Sequence, residues 1–209
     1  HLLSFIPESD NIERLWLSHK AVFDQQSAIR GGAPICWPWF GPHKVHPNFP
    51  AHGFVRTQAW RLTAVEEISD KHGVNETICR FEPNTLGLYQ VSEELRINAV
   101  ISIGKKCNIS LISDNQSIND QAISQAIHSY FALENIQNAR IEGIDTEYYD
   151  KLNDSHSNPC PTPYIISKET DRVHTYLSDQ PQNIEIFEGN VRRVTIEHQG
   201  NNAVAVWNP

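Results

Sequence analysis

Apolar and polar residues alternate along much of this chain with a period of two, and almost nowhere with the 3.6-residue period of a helix. Short β-branched runs carry the pattern: TICRF (77–81), LRINAVISI (95–103), CNISLIS (107–113), IEIF (184–187), VRRVTIEH (191–198) and AVAVW (203–207). Each predicts a strand. Polar turns separate them, namely DKHG, GKK, SDNQS, EGN and HQGNN. DNQSINDQAISQAI (114–127) is the one stretch that passes as a helix, and its Ser, Asn and Ile content speaks against one. LNDSHSNPCPTPYI (152–165) reads as a loop by composition. Many short strands without βαβ alternation predict an all-β, antiparallel sandwich or barrel.

With 209 residues, 39% hydrophobic, the chain is long enough for one sizeable core. A single domain over 1–209 is therefore expected. No apolar run approaches the ~20 residues of a membrane helix. The opening HLLSFIPESDNIERLWLS shows neither a basic leader nor a long apolar stretch, so no signal peptide is read and no membrane partner is expected. The chain contains no Met, starts at His1 in strand-like sequence and stops after AVAVWNP, which reads as a segment of a longer protein.

A net charge of −8 speaks against nucleic acid, which needs clustered Lys and Arg. Any anionic ligand must be held by a few local arginines against that global field. Cys36, Cys79, Cys107 and Cys160 show neither CxxC pairing nor zinc spacing and read as reduced, mostly buried thiols. A cytoplasmic monomer is the expectation.

The segment from Ser27 to Arg56, SAIRGGAPICWPWFGPHKVHPNFPAHGFVR, concentrates the candidate chemistry. Arg30 and Arg56 are ordinary surface charges in isolation. Paired across one cleft, their planar forks would grip a phosphate, with backbone N–H groups of Gly31 and Gly32 joining the cradle. Trp37, Trp39 and Phe40 are core filler on one reading and flat faces for a sugar on the other. His52 is followed by Gly53, which allows close backbone approach. In AIHSYF (126–131), alternation puts His128 and Tyr130 on one face, and His128 is either a satisfied core histidine or a proton donor near neutrality. Asp171 in TDRVH pairs with Arg172 or caps a turn on the plain structural reading. His43 and His46 lack further ligands at a recognisable spacing, so no metal site is expected.

Together IRGGAPICWPWFGP, PAHGFVR, AIHSYF, TDRVH and VWNP resemble, in order and across nearly the whole chain, the D-hexose-6-phosphate mutarotases. These are the glucose-6-phosphate 1-epimerases of the aldose 1-epimerase superfamily. The resemblance implies a large antiparallel β-sandwich of the galactose-mutarotase type, incomplete at both ends here. It implies cofactor-independent interconversion of the α and β anomers of a hexose 6-phosphate, with a small phosphosugar as partner. On that resemblance His128 is the general acid at the ring oxygen, and His52 and Asp171 bind sugar hydroxyls. Arg30 and Arg56 clamp the phosphate, and Trp39 lines the sugar wall.

The pattern of that family also includes a general-base glutamate on a strand beyond the WNP motif, which these residues do not contain. Neither Glu188 nor Glu197 sits in a matching motif. Three alternatives stay open: a non-catalytic sugar-phosphate sensor on the same fold, an epimerase of unphosphorylated sugar, and a cupin-like metal-dependent barrel using His43, His46, His52 and His128.

Overall fold

The computed structural model describes residues 1–24, 26–69, 73, 75–176 and 182–209. The strand prediction holds. Among the described residues helix is confined to two single 3₁₀ turns, Val55–Thr57 and Ile136–Asn138, and every pair of named strands is antiparallel. The chain divides into two compact units, His1–Ala132 and Leu133–Pro209.

In the first unit, strands β1 (Ile35–Cys36), β2 (Trp60–Ser69), β3 (Asn75–Pro83), β4 (Leu95–Ile103), β5 (Cys107–Asn115) and β6 (Ala126–Ile127) form two sheets. β2-β3-β4-β5 make a four-stranded meander, and β1 pairs with β6. In β4 the alternation is realised: Leu95, Ile97, Ala99 and Ile101 are buried, while the residues between them are at least partly open. GKK closes the β4–β5 hairpin, with Ile103 opposite Cys107. Asp70–His72 of the DKHG turn lie outside the described residues.

The inward residues of β4 pack mostly on irregular backbone, with the short strand β1 contributing Ile35. They pack on Ile35, Trp37, Trp39, Phe54 and Val55, the aromatic segment and the HGFV motif. Trp37 is fully buried, its indole N–H donating to Ser113 Oγ at 3.0 Å. That bond removes the cost of burying an unpaired donor. The candidate-site segments are thus fixed by the core itself.

The second unit holds β7 (Ala139–Glu142), β8 (Tyr148–Asp150), β9 (Ser155–Asn158), β10 (Tyr164–Ile165), β11 (Thr170–Thr175), β12 (Gln182–Glu188), β13 (Val191–His198) and β14 (Ala203–Asn208). Their sheets run β10-β7-β12-β13 and β14-β11-β8-β9. Ile144, Tyr164, Ile166, Ile184 and Val206 form its core.

As their Ser, Asn and Ile content argues, residues 114–127 form no helix: they finish β5, cross in irregular backbone and enter β6. Two expectations need correction. The 152–165 stretch is not all loop, since it carries β9 and β10. Of the four free cysteines only Cys36 is buried, because the other three lie on half-open strands or loop.

Candidate functional site

A ribbon of close backbone contacts builds the site in the first unit. β1 and β6 pair with Ile35 opposite Ile127 and Cys36 opposite Ala126. Their pairing continues outward through His128 N–H to Pro34 O (2.9 Å) and Tyr130 N–H to Gly32 O (2.8 Å). A third segment joins there: Trp16 N–H donates to Tyr130 O (2.9 Å), Gly32 N–H to Trp16 O (2.7 Å) and Ser18 N–H to Arg30 O (3.0 Å). Gly31 makes this approach feasible, because a Cβ on it would lie 2.5 Å from Trp16 O. The RGG of the sequence therefore sits against the HSYF segment that follows β6.

The HGF motif is anchored the same way. Gly53 has φ +73°, and a Cβ there would fall 1.8 Å from Trp37 O. Phe54 N–H donates to that same carbonyl at 3.1 Å. His52 also has positive φ (66°) and is held twice to Gly41. Its own N–H reaches Gly41 O (2.8 Å), and its Nδ1 accepts the Gly41 N–H (3.2 Å). An imidazole nitrogen that accepts a backbone N–H carries no proton, so neutral His52 bears its N–H on Nε2 and is a donor.

These anchors bring His52 and His128 together. Their rings lie 6.0 Å apart at 84°. Phe40 flanks both, 4.8 Å from His52 and 6.3 Å from His128. Tyr130 stacks on His128 at 4.8 Å and 20°, as alternation along AIHSYF predicts. Tyr130 thus covers one face of the His128 ring and sets its plane. Trp16 stacks in turn on Tyr130 at 5.9 Å.

Arg56, in the Val55–Thr57 turn, is half-buried, and Arg30 is exposed. Both act electrostatically on the Tyr130 hydroxyl, whose pKa burial pushes up and the two guanidiniums pull back. Arg56 also acts on Cys36, whose thiol burial pushes up to about 11. Elsewhere, arginines meet carboxylates: Arg14 with Asp10, Arg61 with Glu82, Arg80 with Glu66, Arg140 with Glu142, Arg192 with Glu185, and Arg193 with Glu134 and Glu188. Among the described residues neither Arg30 nor Arg56 has such a partner. In a chain of net charge −8, two arginines that both act on the tyrosine stacked against His128, without a carboxylate partner among the described residues, bring local positive charge to that tyrosine.

Trp39 is only 9% exposed. Its N–H donates to Pro50 O (2.9 Å), and His43, Phe49, Phe54 and Tyr89 surround its ring. Phe40, rather than Trp39, is the aromatic against the histidines. Sequence gave no means of choosing between them, since both lie in one Pro-flanked cluster.

Asp171 belongs to the second unit. There its Oδ2 accepts from Lys151 Nζ at 2.7 Å, so the expected pairing with Arg172 does not form. Neighbours on a strand point to opposite faces, and Arg172 lies over the Tyr148 and Tyr164 rings at 4.8 and 5.5 Å. Glu188 is engaged structurally, accepting from Asn135 N–H (2.6 Å) and Arg193 Nε (2.9 Å). The Asn135 bond, then the Arg193 interaction, hold its carboxyl below the usual range against the opposing effect of burial. His43 and His46 rings lie 5.2 Å apart in the 43–49 loop. Among the described residues no group of three or more His, Cys, Asp or Glu gathers to hold a metal ion. No helix among them is long and apolar enough to cross a membrane.

The family model described as Aldose 1-epimerase matches residues 1–209. The chain belongs to the aldose 1-epimerase family. It is 33% identical over 210 residues to an Escherichia coli (strain K12) protein named "Putative glucose-6-phosphate 1-epimerase", covering all of this chain and 68% of that one. A Salmonella typhimurium protein of the same name matches at 33% over 211 residues, again over 68% of its length. In structure the chain is similar to a crystal structure described as a putative mutarotase (YeaD) from Salmonella typhimurium. The TM-score is 0.83 at 31% identity, covering all of this chain and 68% of that one. The all-β, antiparallel fold is thus that of a mutarotase.

Proposed function

We propose that this epimerase acts on a hexose 6-phosphate, interconverting its α and β anomers, with glucose 6-phosphate as the substrate suggested by the names of its relatives. The observation that carries this reading is the pair Arg30 and Arg56. Both bear on the Tyr130 phenol beside His128, and neither is neutralised by a carboxylate among the described residues. A planar guanidinium offers parallel N–H donors to phosphate oxygens. A free hexose has no charge for two such groups to meet.

Anomer exchange requires the ring to open and reclose. One group protonates the ring oxygen while another takes the proton from the C1 hydroxyl, and the roles reverse on closure. In this reading His128 is the acid, its ring held flat against Tyr130. Neutral His52 donates Nε2–H to a sugar oxygen. Phe40 supplies the apolar face against which C–H groups of the ring lie. Such acid–base assistance is typically worth about 10² to 10⁴ in rate. The base is assigned to neither Glu188 nor Glu197.

Two-dimensional exchange NMR on the anomers of glucose 6-phosphate and glucose tests the reading. Faster exchange for the phosphorylated sugar, lost in His128→Ala, is expected. Equal acceleration of both sugars would make it an epimerase of free sugar. Phosphosugar binding without acceleration would make it a sugar-phosphate-binding protein.

A further inference from the structure

We propose that Tyr130 is a specificity-determining residue of this site, its hydroxyl donating a hydrogen bond to the phosphate group of the bound sugar. The proposal rests on the phosphosugar reading above and adds a third, uncharged ligand to the arginine pair.

The backbone sets the position. Tyr130 N–H bonds Gly32 O at 2.8 Å and Tyr130 O accepts from Trp16 N–H at 2.9 Å, so Tyr130 is tied to both other segments of the ribbon. Residues spaced by two along a strand project to one side. Tyr130 therefore rises beside His128 on its own strand and beside Trp16 on the next, and the stacking distances of 4.8 and 5.9 Å follow. The opposing residue is Gly32, which has no side chain to compete for that space. Arg30 lies two residues before Gly32, tied to the same ribbon through Ser18 N–H. The phenol stands within electrostatic reach of both Arg30 and Arg56.

The chemistry matches that place. A tyrosine phenol is protonated at neutral pH, and burial raises its pKa further, so its hydroxyl can donate. A phosphate dianion has three acceptor oxygens, and two guanidinium forks leave lone pairs for another donor. The other face of the same residue carries His128. One rigid ring thus links the phosphate end of the sugar to the acid.

The test is Tyr130→Phe in the full chain, which removes one oxygen and keeps both ring stacks. Affinities for glucose 6-phosphate, glucose and inorganic phosphate are measured by calorimetric titration, with thermal unfolding as the check on folding. Expected is a loss of about tenfold or more for glucose 6-phosphate and inorganic phosphate, the span for a hydrogen bond to a charged group, with glucose unchanged. Wild-type affinity for the phosphosugar, or an equal loss for glucose, overturns the assignment and leaves Tyr130 a packing residue. Arg30→Ala separates the two levels of the argument. If it weakens phosphosugar binding while Tyr130→Phe does not, the clamp stands and the tyrosine role falls. If the wild-type chain shows no preference for the 6-phosphate over glucose, the phosphosugar reading falls and takes this proposal with it.

Discussion

His52 and His128 meet edge to face, ring centroids 6.0 Å apart and planes at 84°. Each is fixed by a different device: His52 by the Gly41 N–H on its Nδ1, His128 by the Tyr130 ring on its face. Fixing both before a ligand arrives is what orienting two proton-bearing groups on one small substrate requires. In the proposed division of labour His52 contacts a sugar hydroxyl and not the phosphate. His52→Ala is then expected to weaken glucose and glucose 6-phosphate by a similar factor, about two- to tenfold. Titration with each sugar checks this, and a loss confined to the phosphorylated one would move His52 to the phosphate end.

The arginines predict the opposite selectivity. Arg30→Ala and Arg56→Ala are each expected to lower phosphosugar affinity by about tenfold or more while leaving glucose nearly untouched. Because Arg30 is exposed, salt should screen its contribution more than that of half-buried Arg56. Titrations of each variant at low and high salt measure the difference.

Gly53 joins site and core. Its Cβ position is occupied by the Trp37 carbonyl and its φ is +73°, so Gly53→Ala meets both a clash and a backbone region unfavourable to a side chain. Strain of this kind costs about 1–3 kcal/mol before the clash is counted. Chemical denaturation is expected to show at least that loss, with sugar affinity falling alongside because His52 precedes the displaced residue.

His174, fully buried in the second unit, predicts a pH dependence of stability. Its Nδ1–H donates to Thr146 O (2.8 Å), which leaves Nε2 to accept the Tyr164 hydroxyl (3.0 Å). Burial, which outweighs the Thr146 bond, pushes its pKa below the ordinary histidine value. The unfolded chain therefore binds this proton at higher pH than the folded chain. The stabilisation is complete above the unfolded value, about 6.5, and is lost as pH falls toward the folded one. The urea midpoint is expected to drop between about pH 7.5 and 5.5. His174→Asn should start less stable and lose that part of the slope.

The fold was legible where alternation ran unbroken. β4 and β13 match their predicted bounds because one face of each is more enclosed than the other. β2 escaped notice because the register slips between Leu62 and Ala64, and because Glu66 and Glu67 interrupt the apolar alternation. β9 spells SHSN, whose polar residues give no strand signal at all. At the site, motif spacing placed His128 and Tyr130 on one face, while Trp39 and Phe40 could be told apart only by what packs on them. Asp171's partner was misread because Lys151 is its neighbour across a strand pair, a relation invisible along the chain.

The central claim is that the first unit recognises a phosphorylated hexose through Arg30, Arg56 and the His52–His128 pair. The most direct test is an NMR titration of the chain with glucose 6-phosphate and with glucose, following the ring resonances of His52, His128 and Tyr130 and the guanidinium Nε–H of both arginines. The account predicts that the 6-phosphate shifts all five residues at concentrations where glucose shifts none of the arginine signals. Equal shifts from both sugars, or a response to the 6-phosphate confined to other residues, would contradict it.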